Sequence, residues 1–160
     1  MTSTPDILFR VATSSDVAAM TQCRLTDSAA GPADPRMEAY FNGQHHPQHA
    51  LLPRAGYVAL DGDQVIGYIA GHRTNRHGCE GEVQYLFVAP VYRRRGIAAM
   101  LLRLLAKWFH EQDAHRVCVG VADDSPREAK PFVESVGATP LKKHWYGWED
   151  IVAVLRERAP

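Results

Sequence analysis

The chain carries no net charge. Eighteen lysines and arginines balance eighteen acids over 160 residues. General nucleic-acid binders show a basic excess, so that class is disfavoured. Long apolar runs are also missing. None approaches the roughly 20 residues that cross a bilayer as a helix, and no membrane partner is expected. Cysteine is scarce: Cys23, Cys79 and Cys118 are odd in number and far apart. That argues against a disulfide framework or a paired-thiol metal site, and fits a reducing compartment. Met1 to Asp6 lacks the basic-then-apolar order of a secretion signal, so a cytoplasmic location is expected. Repeats, low-complexity tracts and linkers are absent. With 46% apolar and 22% charged residues, positions 1–160 read as a single domain with a real core.

Periodicity assigns the elements. Ile7 to Val11 reads as a first strand. Thr13-Ser14-Ser15-Asp16 offers a cap and an acidic first turn for a helix through Val17, Ala18 and Met20. A second helix starts at Asp34-Pro35, with Met37, Tyr40 and Phe41 on its apolar side. Gly43 to Pro53 reads as irregular. Tyr57–Leu60 and Val65–His72 flank Asp61-Gly62-Asp63, a hairpin signal. A strand follows from about Glu82 to Val88. Ile97, Leu101, Leu104, Leu105 and Trp108 then mark one face of the longest helix. Arg116 to Val121 is a buried strand. Ser125-Pro126-Arg127-Glu128 is a capping box for a helix through Ala129, Phe132, Val133 and Val136, with Gly137 as its stop. Strand-like pieces near Leu141 and His144–Trp148 precede a last helix over Glu149–Arg158. The sum is an α/β fold with a mixed sheet and helices on both faces.

The most telling stretch is Leu86-Phe87-Val88-Ala89-Pro90-Val91-Tyr92-Arg93-Arg94-Arg95-Gly96-Ile97-Ala98-Ala99. It reads as strand, basic turn, helix. A helix start offers about four unpaired N–H groups and roughly half a positive charge. Gly96 lets an anion approach the backbone, Ala98 and Ala99 keep the next turn open, and three arginines add charge. Spacing alone does not separate a phosphate cradle from a solvated basic turn.

The extended stretch resembles the acyl-CoA signature of the GNAT superfamily of N-acyltransferases. The family pattern Arg/Gln-x-x-Gly-x-Gly/Ala corresponds to Arg93-Arg94-Arg95-Gly96-Ile97-Ala98, and the order of elements matches from about Leu8 to Gly147. The resemblance implies a mostly antiparallel sheet whose central parallel strands, Glu82–Val88 and Arg116–Val121, splay apart. Backbone amides from Arg94 to Ala99 would bind the pyrophosphate of acetyl-CoA, the co-substrate, with Arg93 beside them. The backbone of Phe87 and Val88 would pair with its pantetheine arm, and Ser125 and Phe132 are further candidates for binding the co-substrate. No metal is implied.

The implied reaction moves an acetyl group to a primary amine by direct attack. Such an amine must lose a proton, and the tetrahedral intermediate needs an oxyanion donor. The resemblance assigns the base to Glu82 and the donor to the Val88 N–H. Strict alternation puts Glu82 on one face with Gln84, Leu86 and Val88, whereas the bulge that the resemblance implies in this strand would change that count. A solvated glutamate at a strand start is the plain alternative. The family's usual leaving-group tyrosine is replaced by Val133, which donates no proton, and its asparagine by Pro126. Pro131 is expected to kink that helix. Ser125, Tyr146 or water remain as acids. The competing class is a non-catalytic acyl-CoA-binding sensor or interaction module.

His45, His46 and His49 surround Pro47 in a polar loop and read as solvated or pocket-lining groups. Asp27, Asp34 and Glu38 are either surface acids and caps or an attraction for a cationic amine. The tail His144-Trp145-Tyr146-Gly147-Trp148 reads as core filling or as a homodimer interface, with aromatic faces that hold a cation or stack on a ring as the alternative. Cys118 reads as an inert buried thiol. The acceptor is a small-molecule or peptide amine.

Overall fold

The computed structural model describes residues 6–123 and 125–156. Two long strands form its backbone. β2 (Ala50–Asp61) and β3 (Gln64–Thr74) make an antiparallel hairpin around Gly62. β1 (Ile7–Val11) pairs with β2 at one edge. On the other side of β3 come β4 (Gly81–Val88), β5 (Val117–Gly120), β7 (Trp145–Trp148) and β6 (Thr139–Lys142), completing the order β1-β2-β3-β4-β5-β7-β6. Every neighbouring pair is antiparallel except β4 and β5. The parallel contact spans only Gly81–Val83 against Val117–Val119. Beyond it the two strands part and leave a gap.

Helices cover both faces. α1 (Val17–Arg24) and α2 (Met37–Phe41) lie on one, over a core that includes Met20, Met37, Val58, Tyr68 and Phe87. α3 (Ile97–Glu111) and α4 (Ala129–Ser135) lie on the other, where Leu101, Leu105, Phe109, Val133 and Trp148 share a second core with Ile69 and Val83. The buried stripe of α3 is Ile97, Leu101, Leu102, Leu105, Ala106 and Phe109. Leu104 and Trp108, expected on that face, are only half-buried. The stripe is turned because the sheet beneath is bare at two glycines. A Cβ on Gly81 would sit 2.5 Å from the Phe109 ring, and one on Gly71 would sit 2.9 Å from Leu105.

Three further expectations need correction. β2 begins at Ala50, within the stretch read as irregular, and its register slips between Leu51 and Arg54. Pro53 lies in that slip, and proline cannot donate to a ladder. α4 begins at Ala129, after the capping box rather than inside it. Pro131 therefore lies in the first turn, where a missing N–H costs no helical bond, and does not kink the helix. The last helix is a 3₁₀ turn over Ile151–Leu155, capped where the Asp150 carboxylate accepts the Val152 N–H at 3.1 Å. The end of its expected range, 157–158, falls outside the described residues. The strand-like tail forms sheet as expected: β7 lies between β5 and β6, and Trp148 is buried with its indole N–H donated to the Val136 carbonyl at 3.0 Å.

Candidate active site

The gap between β4 and β5 opens into a groove of about 1190 Å³. Phe87, Val88, Arg93, Arg94, Gly96, Ile97, Ala98 and Ala99 line its β4–α3 side, and Ser125 and Phe132 line the opposite wall. Backbone alternation equips the β4 edge. The Ala89 N–H donates to the Ile66 carbonyl at 2.9 Å, so the Val88 peptide groups turn away from β3 and into the gap, while those of Phe87 turn to β3. The Val88 carbonyl is already taken by Arg93 Nε at 2.9 Å. Its N–H faces the groove.

The start of α3 meets the same groove. Gly96 caps it at φ +78° with no side-chain cap bond, and a Cβ there would meet nothing within 4 Å. The first helical bond runs from the Met100 N–H to the Gly96 carbonyl. The N–H groups of Ile97, Ala98 and Ala99 thus lack helical acceptors. Arg94 is also left-handed, at φ +64°. Two such residues in one turn gather N–H groups into an anion-binding concavity. The donors and the open Gly96 fit a diphosphate. The three arginines divide. Arg93 donates to Asp27 at 2.8 Å, approaches Glu128 at 3.5 Å, and stacks over Phe87. Arg94 and Arg95 are exposed, and Arg95 lies over the Tyr92 ring.

Glu82 is buried, 3% exposed. It faces His72 across β3–β4 and Cys118 across β4–β5. Its Oε1 accepts Arg76 Nε at 3.0 Å and Thr74 Oγ1 at 3.3 Å, and His72 Nε2 lies 3.7 Å away. Burial pushes its pKa up, but His72 and Arg76 outweigh that and hold it below the ordinary glutamate value. The expected face is corrected by a bulge. Ala70 pairs with Tyr85 and Gly71 with Val83, so Gln84 is an extra residue. Glu82 therefore shares its face with Tyr85 and Phe87, not with Leu86 and Val88. Below the bulge a second pocket of about 270 Å³ is lined by Glu82, Val83, Gln84, Gly120, Ala122, Ser125, His144 and Trp145. Ser125 lines both cavities; Tyr146 lines neither.

Of the acids Asp27, Asp34 and Glu38, the first two are engaged. Asp27 pairs with Arg93 and caps Ala29. Asp34 accepts the Arg36 N–H and the Tyr85 hydroxyl at 2.8 Å. Glu38 is exposed. The histidine loop is held by Arg54, which donates to the Tyr40 and His45 carbonyls and reaches His46 Nδ1 at 2.7 Å. Among the described residues no group of three His, Cys, Asp or Glu is placed to hold a metal, and no helix is long and apolar enough to cross a membrane. Burial pushes the Cys118 thiol far above its ordinary pKa.

The sequence matches the family model described as Acetyltransferase (GNAT) family over residues 20–138. The chain belongs to the GNAT family. No curated protein matches it as a relative. Solved structures with the same fold include a GNAT-family acetyltransferase from Staphylococcus aureus, at 15% identity and TM-score 0.71, covering 89% of this chain and 98% of that one. The PaiA N-acetyltransferase from Thermoplasma acidophilum, solved with coenzyme A, superposes at TM-score 0.65 with 14% identity, covering 89% and 96%. Arabidopsis thaliana NAA60, solved with a bisubstrate analogue, gives 0.66 at 13% identity, covering 89% and 97%. At such identities the likeness is one of fold.

Within this GNAT fold the structure adds groups that sequence reasoning missed. Arg76 holds Glu82 and lies over Trp145, 4.6 Å from the ring centroid. His77 packs edge-on against the same indole. Thr74 and His72 complete the surroundings of the carboxylate. Arg76 and His77 follow a strand end in a short polar run, a weak signal. His72 read only as the last residue of a strand.

Proposed function

We propose that this GNAT protein transfers an acetyl group from acetyl-CoA to a primary amine by direct attack within a ternary complex. The observation that carries this reading is Glu82. It is buried, held below the ordinary glutamate pKa, and lines a small pocket that shares Val83, Gln84, Gly120 and Ser125 with the groove at the α3 start. The α3 amides, with Arg94 and Arg95, hold the diphosphate of the thioester substrate, and the β4 edge holds its arm. The acceptor amine enters the pocket between Gln84, His144 and Trp145.

Primary amines are protonated at neutral pH, so the acceptor arrives as an ammonium. Glu82 takes one proton, directly or through water. The neutral nitrogen then attacks the thioester carbonyl, and the Val88 N–H donates to the developing oxyanion. The new C–N bond forms first, and the C–S bond breaks as the tetrahedral intermediate collapses. The nitrogen loses its second proton, and the departing thiolate gains one. Val133 offers none, and Ser125 is the nominated hydroxyl that reaches both cavities. The acceptor is a small-molecule or peptide amine. The three scattered cysteines fit the reducing cytoplasm.

The test is free-thiol release from acetyl-CoA against a panel of polyamines, amino sugars, amino acids and peptides. One or more amines should stimulate release. Glu82→Gln should lower kcat by about 10²–10⁴-fold while coenzyme A still binds. Binding of coenzyme A without any amine-dependent release would instead establish a sensor.

A further inference from the structure

We propose that His72, itself locked by Tyr40, is a positioning residue that fixes the Glu82 carboxylate for proton transfer. The inference rests on reading Glu82 as the base.

His72 is fully buried on β3. Its Nδ1 lies 2.8 Å from the Tyr40 hydroxyl. Burial drives the Tyr40 phenol far above its ordinary pKa, so the hydroxyl keeps its proton, and among the described residues Nδ1 is the acceptor in its reach. Donation to Nδ1 leaves the ring proton on Nε2. That atom has no hydrogen-bond partner and is buried. Its nearest acceptor is Glu82 Oε1 at 3.7 Å, just beyond hydrogen-bond range. A buried N–H without a partner is costly, and a small shift of the carboxylate satisfies it. Tyr40 is equally constrained. Its ring packs edge-on to His72, Phe41 and Tyr85, and the Arg54 guanidinium lies over it at 4.4 Å. The chain Arg54, Tyr40, His72, Glu82 thus runs from β2 and α2 along the face of the sheet that α2 covers to the pocket.

The groups that face Glu82 come from several elements. They are His72 and Thr74 on β3, Arg76 and His77 in the following turn, Cys79 before β4, Cys118 on β5, and Tyr40 on α2. Of these, Arg76 donates to the carboxylate at 3.0 Å, and the His72 imidazole, at 3.7 Å, faces it from the fully buried side. Arg76 comes from the half-buried side and also donates to the Gln48 carbonyl. His72 comes from the dry side, where water cannot replace it. In the reaction the proton moves from the ammonium to Glu82, and His72 keeps its own throughout.

Carboxyl-carbon NMR titration of the full chain reads this without an acceptor. His72→Phe should raise the Glu82 midpoint by about one pH unit. His72→Gln, whose amide N–H reaches the position of Nε2, should restore it close to the wild-type value. Imidazole nitrogen spectra of the unaltered protein should show His72 as the Nε2–H tautomer. Tyr40→Phe, which removes a single oxygen, should release that preference. An unmoved midpoint in folded His72→Phe, or an Nδ1–H tautomer in the unaltered chain, overturns the proposal. If Glu82→Gln costs turnover while the midpoint stays put, only this role falls. If Glu82→Gln costs nothing, the base assignment falls, and this role with it.

Discussion

The three adjacent arginines before Gly96 do different work. Arg93 is a bracket. It ties the loop after α1 through Asp27, the end of β4 through the Val88 carbonyl, and the approach to α4 through Glu128. Its side chain is 21% exposed, so these bonds are partly shielded from solvent. Arg94 and Arg95 are exposed and available to an anion. Arg93→Ala should therefore destabilise the fold by about 1–2 kcal/mol, read as a lowered Tm in the absence of ligand. Arg94→Ala should leave Tm unchanged and weaken coenzyme A binding, more at low salt than at high. Calorimetric titration at two ionic strengths separates the two, and equal Tm losses in both variants would contradict the division. Ser125 is the matching test at the leaving group. Ser125→Ala should reduce kcat by about tenfold or more if its hydroxyl serves the thiolate, with KM for acetyl-CoA nearly unchanged in steady-state assays.

At the level of elements, the strand–turn–helix unit from Leu86 to Ala99 was legible because each part announces itself locally. The strand is an apolar run, the turn has a glycine, and the helix repeats every third or fourth residue. The same local logic predicts the effect of changing Gly96. A non-glycine residue at φ +78° is strained by about 1–2 kcal/mol, yet its Cβ meets no protein atom. Gly96→Val should thus fold with a modest loss of Tm but lose about tenfold or more in coenzyme A affinity, since the side chain projects where the anion docks. Equal affinity for both proteins would remove the cradle. The face of Glu82 was not legible. A bulge at Gln84 inserts one residue and leaves no mark in composition, so strict alternation assigned the wrong neighbours. His72 was hidden for another reason. Its partner Tyr40 is 32 positions away, and only the sheet and α2 together bring them into contact. The capping box at Ser125 failed because the chain makes a separate turn, with Ala129 donating to Pro126, before the helix proper.

Across the whole molecule, carboxylates act as rivets between elements. Asp16 is held below its ordinary pKa by Arg10 and ties β1 to α1. Asp27 is lowered by Arg93. Asp34, raised by burial, is brought below its ordinary value by the Arg36 N–H and the Tyr85 hydroxyl. Glu80 is lowered by the N–H groups of His115 and Arg116, which it accepts at 2.9 and 3.2 Å. This last pair joins the start of β4 to the start of β5, where the parallel contact begins. The sign follows from linkage. A carboxyl whose folded pKa lies below its unfolded value stabilises the fold above the unfolded value, and that stability is lost as pH falls through the folded one. The unfolded values are 3.8 for aspartate and 4.5 for glutamate. Thermal melts should therefore be flat from neutral pH to about pH 5 and fall steeply below about pH 4. Most of these groups are solvent-screened, so each contributes little and the fall reflects their sum. Glu80→Gln isolates one of them. It should lower Tm at neutral pH, and the difference from the unaltered protein should shrink as the pH drops below about 4, because protonation removes the same interaction. A Tm difference that stays constant down to about pH 3 would show that Glu80 stabilises the β4–β5 junction by shape and not by charge.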